Sequence, residues 1–148
     1  MVERLIADRE AHRDALRAAG HVLYQPWHGR THLAADITRH FATLQGHAVT
    51  VAGRLGVSRD HGGVRFIDLR DVSGKIQLAL RKDAVGDTVF DLLNHLDPGD
   101  ILTATGTVMK TARGEVSIDV QTWTPLVKAL LPMPEKRAGL QNDEERAR

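Results

Sequence analysis

The sequence contains no cysteine. Disulfides and thiolate metal sites are therefore excluded, and a reducing compartment, with the cytoplasm as the default location, is weakly favoured. No apolar run approaches the ~18 residues that a transmembrane helix needs. The N-terminus, Met1-Val2-Glu3-Arg4, brings charge at once and lacks the apolar stretch of a secretory signal. No membrane partner is expected. The recurrent catalytic signatures G-x-S-x-G, the P-loop and H-E-x-x-H are all missing. Eight histidines are scattered at 12, 21, 28, 32, 40, 47, 61 and 95. Only His28 and His32 share an i,i+4 spacing, and no carboxylate stands beside them, so no metal site is expected. Gly53, Gly56, Gly62 and Gly63 fall in strands and a hairpin turn rather than where a strand enters a helix, so they do not form a phosphate-cradling loop. A net charge of +1 is far from the field of a protein that grips duplex DNA along its length.

What is present suits one ordinary domain. The chain has 148 residues, 42% of them hydrophobic and 26% charged, which is close to the globular average and enough for a genuine core. Residues 2–19 carry Leu5, Ile6, Ala15 and Leu16 among helix-favouring Arg, Glu, Asp and Ala, and Gly20 supplies a stop. A loop from His21 to Arg30 follows, with Tyr24, Pro26 and Trp27 as expected anchors. A second short helix is expected from Leu33 to Leu44. From Ala48 the period becomes two: Val49, Val51, Leu55 and Val57 share one parity and predict a strand with an inner face. Asp60-His61-Gly62-Gly63 predicts a turn, Val64–Asp71 a second strand, Ser73-Gly74 a tight turn and Lys75–Arg81 a third strand. A helix is expected from Asp83 to Leu96, with Val85, Val89, Leu92, Leu93 and Leu96 on its apolar side. Asp97-Pro98-Gly99-Asp100 breaks it. Ile101–Lys110 and Glu115–Thr124 form a last pair. Three strands, a helix and two strands is the element order of an OB-fold, a mainly-β, five-stranded Greek-key barrel, here preceded by N-terminal helices. The expected division is a helical leader at 1–46, the barrel at 47–126 and an exit linker at 127–148.

Between Arg54 and Lys82 lie seven basic residues and three acids, and strand parity sorts them. Ile67 and Leu69 point inward on the second strand, leaving Phe66, Asp68 and Arg70 outside. Ile76, Leu78 and Leu80 point inward on the third, leaving Lys75, Gln77, Ala79 and Arg81 outside. Phe66 is thus the one aromatic on the polar side of the first three strands, with Arg54, Arg70, Gln77 and Arg81 as expected neighbours. A ring among cations and an amide suits single-stranded nucleic acid: bases stack on aromatic faces and cations track phosphates. An amide can both donate to and accept from a base edge. From the residues alone, Phe66 either presents its ring to a base or packs under the Asp60–Gly63 loop or the N-terminal segment. Gln77 either reads an edge or is a solvated strand residue. Glu115 either takes a base N–H or merely closes a turn.

Val51-Ala52-Gly53-Arg54, Phe66, Leu69-Arg70-Asp71 and Ser73-Gly74-Lys75-Ile76-Gln77-Leu78 belong to a wider pattern. It continues through Arg81-Lys82-Asp83, Leu96-Asp97-Pro98-Gly99-Asp100-Ile101 and Lys110-Thr111-Ala112-Arg113-Gly114-Glu115, and ends in Lys128-Ala129-Leu130-Leu131-Pro132-Met133-Pro134-Glu135-Lys136. Together these resemble the anticodon-binding OB domain and leader helix of class II lysyl-tRNA synthetases over essentially the whole chain. The chain departs from the family pattern at Gly62-Gly63-Val64-Arg65 and at Tyr24-Gln25-Pro26. The resemblance implies that Phe66 stacks on an anticodon base, that Gln77 reads a uracil edge and that Glu115 takes a uracil N–H. It places Arg59 near the anticodon, with Arg54, Arg70 and Arg81 holding the RNA backbone. It implies the tRNA-Lys anticodon loop as partner, and a homodimer or a synthetase catalytic domain as protein contact. ATP and Mg2+ would belong to such a catalytic domain; no cofactor and no catalytic residue is expected in this chain, whose own aminoacylation is expected to be nil. A stand-alone interaction module or a general single-strand binder is the alternative.

Overall fold

The computed structural model describes residues 2–23 and 29–130. The expected anchors Tyr24, Pro26 and Trp27, His28 of the histidine pair, and the exit segment beyond 130 lie outside the described residues. Helix α1 runs Val2–Ala18 and ends in a Schellman turn. The His21 N–H reaches the Leu16 carbonyl at 3.1 Å and the Gly20 N–H reaches that of Arg17 at 3.0 Å, with Gly20 at φ 100°. Its apolar stripe is thin: Leu16 is fully buried, whereas Val2 and Leu5 are exposed. Polar contacts complete the docking, with Arg9 donating to the Ala129 carbonyl at 3.2 Å and His12 Nδ1 2.7 Å from the Asp97 carboxylate.

The expected Leu33–Leu44 helix is two pieces, α2 (Ala34–Arg39) and α3 (Phe41–Leu44), broken where His40 adopts φ −107°, ψ 29°. The barrel dictates this geometry. Asp71 and Ser73, in the turn between the second and third strands, accept the Ala34 and Ala35 N–H groups at 2.8 and 2.9 Å. Thus anchored, α2 buries Ile37 completely, and Phe41 packs against the core after the break.

Strands β1 (Ala48–His61), β2 (Val64–Asp71), β3 (Gly74–Arg81), β4 (Ile101–Lys110) and β5 (Val116–Val127) close into a barrel in the order β1-β2-β3-β5-β4. Only β3 and β5 pair in parallel; the other neighbours are antiparallel. Closure leaves no open sheet edge. This is the OB-fold. Its interior follows the alternation: Val49, Val51, Leu55, Ile67, Leu69, Ile76, Leu78, Leu80, Leu102, Ile118 and Val120 are each 3% exposed or less.

Two further expectations fail for definable reasons. Val57 shares the parity of Leu55 but is 61% exposed. A bulge intervenes: Leu55 pairs with Leu69 and Ser58 with Ile67, so β1 uses three residues where β2 uses two and the faces exchange. The expected Asp83–Leu96 helix is likewise broken at Gly86 (φ 90°) into α4 (Lys82–Val85) and α5 (Asp87–Leu92), followed by a 3-10 turn at Leu93–His95. Leu92, Leu93 and Leu96 reach the core, while Val89 stays exposed. Strand β5 also continues past Thr124 to Val127, and the next residue, Lys128, is only 3% exposed. No helix among the described residues is long and apolar enough to cross a membrane.

Candidate nucleic-acid interface

The outer side of β1, β2 and β3 is ordered by its pairing register into rows that cross the strands. At the hairpin end stands His61, opposite Val64, which is opposite Arg81. The next row holds Arg59, Phe66, Ala79 and, on β5, Asp119. Then come Asp68, Gln77 and Ser117. The last row is Arg54, Arg70 and Lys75. Glu115 lies two residues before Ser117, just ahead of β5, so the face runs from the β1–β2 turn to the β4–β5 turn.

The β1 bulge decides which cation meets the ring. By simple alternation from Val49, Arg59 would point inward with the valines. The extra residue turns it outward, directly opposite Phe66. The ring of Phe66 is half-buried, with the edge of His61 against it at a centroid distance of 5.5 Å and 66° between planes. His61 was not singled out from sequence. The sequence places it in the Asp60–Gly63 turn, whereas the structure makes it the last residue of β1, paired with Val64, beyond a bulge that obscures its parity.

Gln77 is 8% exposed and not the solvated strand residue that parity allowed. Its Oε1 accepts from Arg59 at 2.8 Å and its Nε2 donates to Ser117 Oγ at 3.0 Å. These two contacts fix the amide orientation. They leave one N–H and one oxygen lone pair for an incoming group. Asp68 lies 3.5 Å from Arg59 and 3.7 Å from Lys75, partly neutralising both. Arg81 forks onto Asp119 with two 3.0 Å hydrogen bonds and approaches Asp83 at 3.4 Å, and those bonds hold its pKa above the ordinary guanidinium value. Glu115 is exposed. Its backbone closes the β4–β5 turn, its N–H meeting Thr111 Oγ1 at 3.1 Å and its carbonyl accepting the Thr111 N–H at 2.9 Å. Among the described residues its carboxylate has no ion-pair partner. Arg54 and Arg70 likewise make no ion pair or side-chain hydrogen bond among the described residues.

A closed barrel with the Phe66 ring, a fixed amide and cations on its outer face is chemically suited to a flat, negatively charged ligand whose edge the amide can pair with. Residues 49–126 match the model of the tRNA anticodon family, described as an OB-fold nucleic acid binding domain. The chain belongs to this family. Curated relatives include the lysine–tRNA ligase of Pediococcus pentosaceus, 47% identical over 78% of the chain and 25% of the relative. That of Moorella thermoacetica is 43% identical over 80% of the chain and 24% of the relative. That of Enterococcus faecalis is 41% identical over 91% of the chain and 28% of the relative. The chain therefore spans about a quarter of the length of these relatives, in their N-terminal part. The matched family stretch contains Arg54, Arg59, Phe66, Arg70, Gln77, Arg81 and Glu115, all seven of the residues singled out from sequence.

Proposed function

We propose that this domain recognises the anticodon loop of tRNA-Lys, serving in translation in the cytoplasm as the RNA-reading part of a lysyl-tRNA synthetase. The observation that carries the reading is the pair of adjacent rows, Arg59–Phe66 and Asp68–Gln77–Ser117, on an anticodon-family barrel. A base stacked on Phe66 would lie one strand-pair step from the oriented Gln77 amide. The remaining N–H and lone pair of Gln77 complement the carbonyl oxygen and N3–H of uracil. The carboxylate of Glu115, without an ion-pair partner among the described residues, is a second acceptor for a uracil N–H. Cytosine carries a lone pair at N3, so Glu115 would face repulsion there, at a cost of roughly 1–3 kcal/mol. Arg59 fixes Gln77, and Arg54 and Arg70 lie along the RNA backbone, whereas Arg81, which the resemblance would place with them, is held by Asp119. ATP, Mg2+ and lysine would be handled by a catalytic domain, which this barrel would supply with its tRNA. The exposed Val2 and Leu5 on α1 suit a homodimer or catalytic-domain contact.

The test is a titration of the protein with a tRNA-Lys anticodon stem-loop, in parallel with Phe66→Ala and with a loop whose uridines are changed to cytidines. Saturable binding is expected, weakened by about 1–3 kcal/mol when the stacking ring is removed and weakened again by the cytidine loop. Equal affinity for both loops would remove the uracil reading. An absence of binding up to about millimolar RNA would overturn anticodon recognition by this domain.

A further inference from the structure

Resting on that reading, we infer that Arg54, Arg70 and Lys75 form the phosphodiester track of the interface, and that Arg81 is not part of it. Arg54 faces Arg70 across the β1–β2 pair, and Arg70 faces Lys75 across β2–β3. Three like charges thus stand side by side on neighbouring strands, a spacing of about 4.8 Å per step. Directly opposed like charges repel, and a sheet stabilises itself by placing opposite or apolar groups there. This sheet does so elsewhere: every other cation singled out on the face has a carboxylate close by. Arg59 has Gln77 and Asp68, and Arg81 has Asp119 and Asp83. In the cationic row only Lys75 has an acid, Asp68, at 3.7 Å.

The fold also holds the row together. A Cβ built on Gly53 would come within 2.4 Å of the Arg70 carbonyl oxygen, so only glycine lets β1 pass this close to β2. That close passage brings Arg54, the next residue, alongside Arg70. The row lies four residues along β2 from Phe66, about 13 Å at the usual rise per residue. A strand of RNA can therefore run its phosphates over the row while its bases reach Gln77 and Phe66. The ligand chemistry is a single-stranded phosphodiester, read without regard to base.

Counterion release gives the readout. Each phosphate contact on a single strand contributes about 0.7 to the slope of log affinity against log salt. The experiment titrates the same anticodon stem-loop between about 50 and 200 mM salt with the unaltered chain, an Arg54→Gln/Arg70→Gln double variant and Phe66→Ala. The double variant is expected to lower the slope by about 1.4, two contacts at 0.7 each, and to weaken uridine and cytidine loops by the same factor. Phe66→Ala is expected to weaken binding with its slope intact. An unchanged slope in the double variant, with Phe66→Ala still weakening binding, would overturn the track and leave anticodon reading standing. Failure of the unaltered chain to bind RNA would overturn both. Thermal melts of each variant show that a lost slope is not lost fold.

Discussion

Two charged clusters on this barrel are built in opposite ways. Beside the β4–β5 exit, Lys128 contacts both Asp97 and Asp100, the latter at 2.7 Å. Asp100 also accepts the Asp97 and Ala129 N–H groups at 2.8 Å each, and His12 reaches Asp97 from α1. Every charge there is answered from within the chain. In the other cluster, Arg54 and Arg70 face each other with no acid between them among the described residues. The lesson is that charge closed inside the fold serves architecture, here tying α1, the Asp97–Asp100 turn and the end of β5 together. Charge left open on a paired sheet gives the sheet nothing by itself, which is the ground for the proposal that it serves a ligand.

The comparison breaks hardest at Lys128. Lys128→Met keeps much of the volume but strands a buried carboxylate, since the side chains of Lys128 and Asp100 are each about 1% exposed. Removing one partner of such a pair costs about 3–5 kcal/mol. Urea denaturation of the variant should show that loss. An effect below about 1 kcal/mol would mean that the cluster is not closed in solution.

Acid titration probes the same cluster more gently. Burial pushes the Asp97 carboxyl up, but hydrogen bonds from His12 and Lys128, with their charges, outweigh it and hold the group below its ordinary value of 3.8. Asp71 is also held low: burial raises it, and bonds from the Ser73 hydroxyl and the Ala34, Ser73 and Gly74 N–H groups more than reverse that. A folded pKa below the unfolded one contributes stability that is present above the unfolded value and lost as pH falls through the folded value. Stability should therefore decline as pH drops below 3.8, and Asp97→Asn should flatten that decline. Unfolding free energy measured across this acid range checks it; an unaltered slope in the variant would count against the network. Asp100 is pushed the other way by burial, which outweighs its bonds to Lys128, Asp97 and Ala129. Its contribution is present below the ordinary value and is lost as pH rises through the raised one.

The smallest effect has the opposite sign. Without RNA, Arg70→Gln relieves repulsion from Arg54 and from Lys75, and should raise unfolding free energy by roughly 0.2–1 kcal/mol at low salt. The gain should fade near 1 M salt, where charges are screened within about 3 Å. A destabilised Arg70→Gln protein would make the row architectural after all.

The sequence by itself determined the strands, their turns and most of the core, because period-two alternation leaves a record wherever one face is buried. It also determined that Phe66 and Gln77 share the outer face, since β2 and β3 contain no bulge to disturb their parity. Breaks at His40 and Gly86 were less legible: the apolar spacing on either side remained helical, although Gly86, at φ 90°, is a residue that can leave the helix. The tertiary structure alone decided the rest. The extra residue between Leu55 and Ser58 exposes Val57 and turns Arg59 toward Phe66. Pairing register, which no single strand encodes, sets Arg54 against Arg70 and Lys75, and gives Gln77 its two fixed partners. Lys128, 28 residues from Asp100 along the chain, finds its buried partner only when the barrel closes. Local periodicity reports which way a side chain points; what it meets there depends on strands distant in sequence, and only the closed barrel brings them together.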